Sequence, residues 1–414
     1  MNDLFTLATL AKLGLLIAAV GAFSSTVFLL MALVAAVRFR RTAKAWQHAV
    51  HTCPREKLPP ITILKPVYGS EPNLLENLGS FFRQDYPNYE IVFGCRSADD
   101  PALDAVNRLA ARYPKVAVRV VISGHPTWPN AKVYSLSKMI ASSKNNYFVI
   151  SDSDINVKPE FLRNVIVPLL EPKNGLVTCM YQGVPAGDFW SKLEALGMSV
   201  ELASGVITAN MLEGMRFALG AVMAVRRDAL EKIGGIGETK DYYSDDFVLG
   251  NLVAEKANLK VVLSHYTQVG HVLTAQTFER TFGTQLRWMQ STRYSRPKGH
   301  LGSGLTFSTP FGVLGLICAG ALHYWPLGVA FCAWGYLNRV AQAIAIGWGV
   351  IGDRRALTGA LVYPLRDLLG FVVWTTSYLG GDSFTWRGEL YRFTPGGRIV
   401  PATRNMEVSR AEGA

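Results

Sequence analysis

Two aspartates, Asp152 and Asp154, stand one residue apart directly after the apolar run 147–150. Such a run is typical of a buried parallel strand, and open α/β sheets bind ligands just past the carboxyl ends of their strands. In an extended segment the two side chains point to the same side, where they repel each other unless a cation joins them. A Mg²⁺ or Mn²⁺ ion that also binds phosphate oxygens suits such carboxylates. The pair predicts a metal–diphosphate site, with a solvated acidic turn as the alternative.

Two further motifs carry charges that could act beside that site. Asp245 and Asp246 form a second acidic pair at the start of a predicted helix, 247–254. A carboxylate within reach of a hydroxyl can serve as a general base, whereas a doubled helix cap is the structural alternative. Lys132 follows Pro129-Asn130-Ala131 at another helix start, where the helix dipole disfavours a cation. It therefore predicts an anionic partner such as a diphosphate, unless it is simply solvated.

Two loops follow the first two predicted strands. Residues 65–71, from Lys65 to Glu71, contain Pro66 and Gly69 and open a helix. Backbone groups of such a loop could hold a nucleobase, or the loop is an ordinary strand–helix turn. Asp99-Asp100 precedes the next helix, so these carboxylates either accept hydrogen bonds from a nucleoside or cap that helix.

A basic, aromatic helix is predicted from about 278 to 296. Its composition is typical of an amphipathic helix at a membrane surface. Because arginine also binds phosphates bidentately, Arg287 is the residue that we expect to reach the site. His265 and His271 have no partner at helical spacing, which favours structural or surface roles over metal binding.

The region after residue 60 alternates strands and helices. The predicted strands are Ile61–Leu64, Tyr89–Phe93, Val116–Ile122, Tyr147–Ile150, Gly175–Met180 and Phe217–Val225. The predicted helices are Glu71–Arg83, Pro101–Tyr113, Lys132–Ser142 and Pro159–Leu169, followed by a mostly helical, less regular region over 183–214. This rhythm predicts an α/β fold with a doubly wound, mostly parallel sheet.

Both ends of the chain contain candidate membrane segments. Residues 14–37 carry no charge and are followed by four basic residues within 38–44. This order favours an uncleaved anchor over a signal peptide and places the basic flank in the cytoplasm. Three more apolar segments are predicted at 305–324, 326–351 and 357–381. The basic tail should also be cytoplasmic, and a chain that leaves the cytoplasm and returns to it crosses the membrane an even number of times. Three spans conflict with that number. We therefore expect 357–381 to be re-entrant, interfacial or split.

Charge and cysteine usage indicate the compartment of the protein and the kind of surface that it binds. The chain has 414 residues, a net charge of +11 and five scattered cysteines. The cysteines have no paired spacing, which argues against a disulfide framework or zinc site and suits a reducing compartment. Basic residues gather beside the apolar segments, so they favour a surface of anionic lipids over nucleic acid.

Taken together in this order, the motifs resemble the membrane-bound GT-A glycosyltransferases of family 2 and its relatives. Within them they are most similar to glycosyltransferase family 21, the ceramide glucosyltransferases and related hopanoid glycosyltransferases. The motifs that carry the resemblance are Lys65-Pro66-Val67-Tyr68-Gly69-Ser70-Glu71, Asp99-Asp100-Pro101, Pro129-Asn130-Ala131-Lys132, Asp152-Ser153-Asp154, Ser244-Asp245-Asp246, Gln285-Leu286-Arg287-Trp288 and Thr385-Trp386-Arg387-Gly388. They extend over nearly the whole chain.

The resemblance implies a Rossmann-like GT-A catalytic domain with N- and C-terminal transmembrane helices. It also implies roles for individual residues. The family's three separated aspartates match Asp100 (or its neighbour), Asp152 and Asp246, and its final motif, (Gln/Arg)-x-x-Arg-Trp, matches Arg287-Trp288. Here the leading Gln or Arg of that motif is replaced by Thr284, with Gln285 one place late.

The roles that follow from the resemblance are specific. The uridine would lie against Pro66, Glu71 and Asp100. The diphosphate would be held by Lys132, Asp152, Asp154 and a divalent cation, Mg²⁺ or Mn²⁺. Asp246 would deprotonate the acceptor hydroxyl, and Arg287 with Trp288 would close the site. The second acid of the metal motif, which animal members lack, is present here as Asp154.

The resulting hypothesis is an inverting transfer from a UDP-sugar, UDP-glucose or UDP-GlcNAc, to a membrane lipid, either ceramide or a hopanoid. A processive polysaccharide synthase and a non-catalytic membrane scaffold are the alternatives. The implied organisation is an anchor over 1–44, a cytoplasmic GT-A domain over 45–270, an interfacial helix over 271–300, membrane segments over 301–382 and a cytoplasmic basic tail over 383–414.

Overall fold

The structure, a computed structural model, describes residues 2–275, 277–386 and 388–402, with side chains from residue 7 onward. Within these ranges the strands are β1 (Ile61–Pro66), β2 (Tyr89–Cys95), β3 (Ala117–Ile122), β4 (Tyr147–Ser151), β5 (Ile155–Asn156), β6 (Asn174–Thr178), β7 (Gln182–Val184), β8 (Val222–Arg226), β9 (Lys260–Leu263), β10 (Gly270–Val272), β11 (Ser383–Trp386), β12 (Glu389–Thr394) and β13 (Arg398–Pro401). Arg387 and the distal part of the predicted basic tail, with Arg404 and Arg410, lie outside the described residues.

The α-helices in the same ranges are α1 (Asn2–Thr52), α2 (Leu74–Phe82), α3 (Ala102–Arg112), α4 (Ala131–Ser142), α5 (Phe161–Ile166), α6 (Phe189–Leu196), α7 (Ala203–Glu213), α8 (Arg227–Ile233), α9 (Asp245–Glu255), α10 (Phe278–Ser295), α11 (Pro297–Ser303), α12 (Thr309–Ala321), α13 (Trp325–Gln342), α14 (Arg354–Gly359) and α15 (Tyr363–Leu379). Two π-helical segments, Gly197–Leu202 and Ala343–Trp348, continue α6 and α13.

The central sheet has seven strands in the order β3-β2-β1-β4-β8-β6-β9. Its pairs β1–β2, β2–β3, β1–β4 and β6–β9 are parallel, whereas β8 runs antiparallel to both of its neighbours. The predicted α/β class with a mostly parallel sheet is therefore confirmed. Every residue of β6 is buried, and so are most residues of β1 and β4. Continuous apolar runs are typical of strands that are covered on both faces.

The described chain forms two compact units. The first, which we call the helical unit, comprises the described residues of 1–40, 187–208 and 275–381. The second, which we call the sheet unit, comprises 41–186, 209–274 and the described part of 382–414. The sheet unit contains every strand named above. The predicted catalytic domain over 45–270 differs from it, since residues 187–208 cluster with the helical unit and the C-terminal strands cluster with the sheets.

Among the described residues, two helices are long and apolar enough to cross a membrane, Leu7–Thr52 and Phe189–Glu213. A bent pair, Pro297–Thr306 with Thr309–Ala321, would make a third if its two helices, 56° apart, form one span. The first of these contains the predicted anchor at 14–37, and the bent pair overlaps the predicted segment at 305–324. The sequence did not predict Phe189–Glu213 as a span.

The segments predicted at 326–351 and 357–381 are not among these candidates, and each carries a charged residue that pairs with one on the other. Arg339 and Asp367 are almost fully buried, and Nη1 of the arginine lies 3.5 Å from Oδ1 of the aspartate. Oδ2 of Asp367 accepts hydrogen bonds from the main-chain N–H groups of Ser308 and Thr309 at the start of α12. Charges in apolar helices are costly unless protein groups pair with them, as happens here inside the helical unit.

Two small sheets accompany the central one, and the sequence predicted neither. The first has the order β5-β10-β7, and the second, at the C-terminal end of the described chain, is the antiparallel sheet β11-β12-β13. Residues 383–401 belong to the predicted basic tail. The described part of this segment forms strands whose inward side chains, Phe384, Tyr391, Phe393 and Ile399, are buried. This folding reflects alternation of apolar and polar residues along short strands.

Candidate active site at the carboxyl edge of the sheet

The Asp152–Asp154 segment forms a tight turn between β4 and β5, at the carboxyl end of a central strand. Oδ1 of Asp152 lies 2.6 Å from Nζ of Lys132, and Oδ2 of Asp154 lies 3.3 Å from Nε2 of His271. Burial raises the pKa of the Asp154 carboxyl, but the charge and hydrogen bond of His271, followed by the charge of Lys65, outweigh it and hold the pKa below its usual value. Each carboxylate therefore has a cationic or polar partner.

The buried side chain of Lys65 packs against this turn and binds its main chain. Nζ of Lys65 donates to the main-chain oxygen of Asp152 and lies 3.3 Å from Oγ of Ser151 and 3.8 Å from the centre of the Phe81 ring. Burial lowers the pKa of Lys65 to about 7, although the nearby charges of Asp152 and Asp154 oppose that shift. No role for the Lys65 side chain was predicted from the sequence. Its signal is a single cation at the end of an otherwise apolar strand, because such a group stays buried only with polar partners.

Asn130 fixes the start of the helix that carries Lys132. Its Oδ1 accepts hydrogen bonds from the N–H groups of Lys132 and Val133, which makes it the N-cap of α4. Its Nδ2 donates to the main-chain oxygen of Tyr242 at 2.9 Å and lies 3.3 Å from Oδ1 of Asp245. Asn130 is fully buried, so all of these bonds are shielded from water. One side chain thus connects the lysine loop to the second acidic pair.

The lysine itself is held by carboxylates from two elements. Nζ of Lys132 lies 2.6 Å from Asp152 and 4.0 Å from Oδ2 of Asp245. Burial would lower its pKa, but the charges of Asp152 and Asp245 outweigh that effect and raise the pKa above the usual value for lysine. Lys132 is therefore a permanent cation at the edge of the sheet, as binding to a diphosphate requires.

Asp245 and Asp246 form the first turn of α9, with Ser244 at the N-cap position. Burial raises the pKa of Asp246 to about 6, with a further contribution from the charge of Asp245. Oδ1 of Asp246 accepts a hydrogen bond from the N–H group of Phe247 at 2.8 Å. A Cβ atom on Gly220 would lie 2.9 Å from its Oδ2, so glycine at that position leaves room for the carboxylate. A carboxyl group with such a pKa suits a general base.

A cleft beside Lys132 collects several of the predicted nucleotide contacts. Pro66, Glu71 and Lys132 line it, together with Ser153 from the acidic turn. Asp100 is not among the lining residues. Its Oδ1 instead accepts hydrogen bonds from the N–H groups of Gly69 and Ala102, at 2.8 and 2.9 Å. Asp100 therefore fixes the 65–71 loop and caps the start of α3, which corresponds to the helix-cap alternative of the sequence prediction.

The acidic turn fits a metal ion that is shared with a diphosphate. Oδ1 of Asp154 is buried and has no hydrogen-bond partner, as a carboxylate oxygen reserved for a cation would. Within 2–275, 277–386 and 388–402 no group of three or more His, Cys, Asp or Glu side chains is arranged to hold a metal. Asp152 and Asp154 alone suit Mg²⁺ or Mn²⁺ only when phosphate oxygens complete the coordination. His265 lies elsewhere, stacked on Trp46 at 5.1 Å.

Arg287 and Trp288 lie on α10, which belongs to the helical unit. Nη2 of Arg287 donates to Oγ1 of Thr284 at 3.1 Å, and its Nε is buried without a hydrogen-bond partner. Gln285 is buried and Trp288 is 41% exposed. Thr284, at the position of the family's Gln or Arg, thus contacts the motif arginine one helical turn away. The predicted closing role of this pair stays a prediction.

Comparison with known proteins gives one family and several relatives. The family model described as "Glycosyl transferase family 21" matches residues 24–399. The chain is 26% identical over 350 residues to ceramide glucosyltransferase 3 of Caenorhabditis elegans, covering 83% of this chain and 75% of that protein. It is 22% identical over 373 residues to ceramide glucosyltransferase 1 of the same organism, covering 86% of this chain and 77% of that protein.

Two solved structures also resemble the chain at low identity. Mannosyltransferase PcManGT from Pyrobaculum calidifontis, in complex with GDP-Man and Mn²⁺, is 19% identical, covers 85% of this chain and 98% of its own, and has a TM-score of 0.45. Residues 1–349 of S. aureus TarS, in complex with UDP-GlcNAc, are 12% identical to this chain. That match covers 83% of this chain and 99% of the TarS chain, with a TM-score of 0.39. The match over 24–399 covers most of the sequence, including the whole acidic edge described above, and the chain belongs to glycosyl transferase family 21.

Proposed function

We propose that this protein transfers a sugar from a UDP-sugar to the hydroxyl group of a membrane lipid, as UDP-glucose:ceramide glucosyltransferase does. One observation carries the proposal. Lys132, a permanent cation, lies between Asp152 of the acidic turn and Asp245 of the pair that contains Asp246. A group that binds diphosphate and a candidate base therefore share one edge of the sheet, as transfer from a nucleotide-sugar requires.

The donor would lie along this edge. The cleft lined by Pro66, Glu71 and Lys132 is proposed to take the uridine, with Asp100 holding the loop that covers it. The diphosphate would lie against Lys132 and the turn Asp152–Asp154. A divalent cation bound by these two aspartates would stabilise negative charge on the departing phosphate oxygen. Lys132 supplies a second positive charge in the same place.

The acceptor would be activated by Asp246. Its carboxylate takes the proton of the lipid hydroxyl while the hydroxyl oxygen forms a bond to the anomeric carbon. The bond between that carbon and the phosphate oxygen breaks, and UDP leaves with the bonding electrons. Attack from the face opposite the leaving group inverts the configuration of the sugar. Arg287 and Trp288 are proposed to close the site around the donor, a role that rests on the family motif alone.

The membrane location supports a lipid as acceptor. The apolar stretch 14–37 is followed by Arg38, Arg40, Arg41 and Lys44, which by the positive-inside rule favours a cytoplasmic sheet unit. We therefore propose the organisation outlined from the sequence, with the anchor over 1–44, catalysis in the sheet unit and α10 at the membrane surface. Basic residues near an anionic leaflet would add to the attachment.

The direct test uses the purified full-length protein in lipid–detergent micelles. It is incubated with Mg²⁺ or Mn²⁺, with UDP-glucose, UDP-GlcNAc or GDP-mannose, and with ceramide or a hydroxylated hopanoid, and the products are identified by mass. We expect glucosylceramide with inverted anomeric configuration. N-acetylglucosaminyl hopanoid would instead favour the related hopanoid enzymes. Failure with every pair, while UDP still binds, would overturn lipid glycosylation.

A further inference from the structure

Tyr243 lies two residues before Asp245 and is enclosed by the C-terminal sheet. Its ring is 5.3 Å from that of Phe384, 5.2 Å from Trp386 and 5.6 Å from Phe393, and each pair meets edge to face. Aromatic pairs in this geometry add stabilisation beyond the area that they bury. The segment that leads into the acidic pair is therefore held by residues about 140 positions later in the chain.

Main-chain hydrogen bonds extend the same contact. The N–H group of Ile399 donates to the oxygen of Asp241 at 2.7 Å, and that of Tyr243 donates to the oxygen of Gly397 at 3.5 Å. Arg398 adds a side-chain contact, since its guanidinium lies 5.3 Å from the centre of the Tyr242 ring and its Nε donates to that hydroxyl at 3.2 Å. Residues 241–243 thus lie beside β13 and form one isolated antiparallel bridge, between Tyr242 and Arg398.

The opposite side of the same segment is bound to the loop of Lys132. The N–H group of Asn130 donates to the oxygen of Lys240, and its side chain donates to the oxygen of Tyr242. The hydroxyl of Tyr391, from β12, donates to Oε2 of Glu389 at 2.7 Å, and its oxygen lies 3.4 Å from the main-chain oxygen of Pro129. The C-terminal sheet therefore contacts both loops that present charged groups at the candidate site, within one unit of the fold.

Resting on the proposed function, we infer that the sheet β11-β12-β13 is a positioning element for the base. It touches none of the proposed reacting atoms. It fixes residues 241–243, and through them the first turn of α9, so that the carboxylate of Asp246 faces the acceptor hydroxyl while Lys132 faces the diphosphate. A displacement of about 1 Å in such a group lowers a reaction rate by about 100-fold. The donor-binding cleft includes Lys132, but the helix start that carries this lysine is held by the side chain of Asn130, so loss of the Tyr243 ring is expected to affect donor binding much less than the base.

The test compares three variants of the full-length protein. Tyr243→Ala removes the ring that the sheet encloses, Tyr243→Phe keeps it, and Val400→Ala shortens a side chain on the exposed side of β13. We expect kcat to fall by about 10- to 100-fold in Tyr243→Ala, with UDP affinity within about threefold of the parent. Tyr243→Phe and Val400→Ala should keep most of the activity. Arg398→Ala, a milder change at the surface, should lower kcat less than Tyr243→Ala does.

A second readout does not depend on activity. Amide hydrogen exchange over residues 240–247 should speed up in Tyr243→Ala and not in Val400→Ala, because the sheet no longer restrains that segment. Unchanged exchange would overturn the inference, as would unchanged kcat or a loss of UDP affinity as large as the loss of kcat. If the parent protein transferred no sugar, faster exchange in Tyr243→Ala would still support the contact, and the proposed function alone would fail.

Discussion

Nζ of Lys132 and Oδ1 of Asp152 are 2.6 Å apart, although one lies at the start of α4 and the other follows β4. Asp245 approaches the same ammonium group from a third element, at 4.0 Å. The lysine neutralises the carboxylate that is proposed to hold the metal. Under the proposed function, the lysine would turn from this carboxylate to a phosphate oxygen when the donor and its cation bind. We therefore propose that the ion pair is an exchangeable contact between the two loops.

Lys132→Ala should weaken UDP binding by about 10- to 100-fold, because a charge-assisted contact to phosphate is lost and two carboxylates are left without their cation. Isothermal titration with UDP and Mg²⁺ measures the change. Lys138→Ala is the matched control, since that lysine lies on the exposed side of the same helix. Equal UDP affinity in Lys132→Ala and Lys138→Ala would contradict the proposed phosphate contact.

Asp246→Asn should abolish transfer, with a loss of about 1,000-fold or more in kcat, while UDP affinity stays within about threefold. The amide has nearly the same shape as the carboxylate but cannot accept the acceptor's proton. Turnover with saturating donor and lipid is the measurement. Asp228→Asn makes the same chemical change on the half-exposed surface of α8 and should behave like the parent. Substantial turnover by Asp246→Asn would rule out this residue as the base.

The pH dependence of kcat/KM should have an acidic limb near pH 6. Burial, and then the charge of Asp245, raise the pKa of Asp246 to about 6 in the free enzyme. A base works only when ionised, so kcat/KM should rise by about tenfold per pH unit below this value and level off above it. Asp245→Asn removes the like charge and should move the limb to lower pH. A limb that stays in place in Asp245→Asn would contradict the proposed coupling.

The sequence predicted the acidic edge because the rule behind it is general. The carboxyl ends of parallel strands meet at one edge, so residues after β1 and β4 could be placed together without knowing any contact. Asn130 is different, since its partner Asp245 is 115 residues away and no periodicity links a loop to a loop. His271 was assigned a structural or surface role because no ligand stood at helical spacing, yet the small sheet brings it to Asp154.

The C-terminal strands escaped prediction for a similar reason. They are four to six residues long, and two of them carry an arginine, Arg392 and Arg398, so their composition resembled that of a basic tail. Phe384 and Phe393 stack on each other at 4.3 Å and meet the ring of Tyr243 edge to face, and no local pattern in the sequence indicates that contact. The candidate span Phe189–Glu213 was missed because Lys192, Glu194 and Glu201 interrupt its apolar run. In the structure, Glu201 is paired with Arg366, which lies on a helix far away in the sequence. Pairing across such sequence distances is a property of the fold and not of a local pattern.

Asp154→Asn should reduce the gain in UDP affinity that Mg²⁺ or Mn²⁺ provides by about tenfold or more, because a metal held by few protein ligands loses one of its two carboxylates. UDP binding in the presence of a chelator should not change. Titrations with and without metal separate the two quantities. Asp104→Asn, on the exposed side of α3, is the control. An identical metal effect in Asp154→Asn and the parent would show that Asp152 is sufficient.

Asn130 offers a way to separate stability from the connection between loops. Asn130→Ala removes the N-cap of α4 together with the bonds donated to Tyr242 and Asp245, and should lower the free energy of unfolding by about 2 to 3 kcal/mol. Asn130→Ser restores a capping oxygen but has no amide donor for the oxygen of Tyr242. Thermal unfolding should therefore recover in part, by about 1 kcal/mol, in the serine variant.

The two variants should nevertheless share a catalytic defect. Without the Asn130 amide, Tyr242 and Asp245 lose their side-chain bonds to the lysine loop, and the main-chain bond from residue 130 to Lys240 remains. The spacing of Lys132 and Asp246 is then held less firmly. We expect kcat to fall by about tenfold or more in both Asn130→Ser and Asn130→Ala, independently of their different stabilities. Activity is measured well below the unfolding temperature of either variant. If kcat recovered in Asn130→Ser in proportion to its stability, Asn130 would act only as a helix cap, and the two charged loops would be positioned by other contacts.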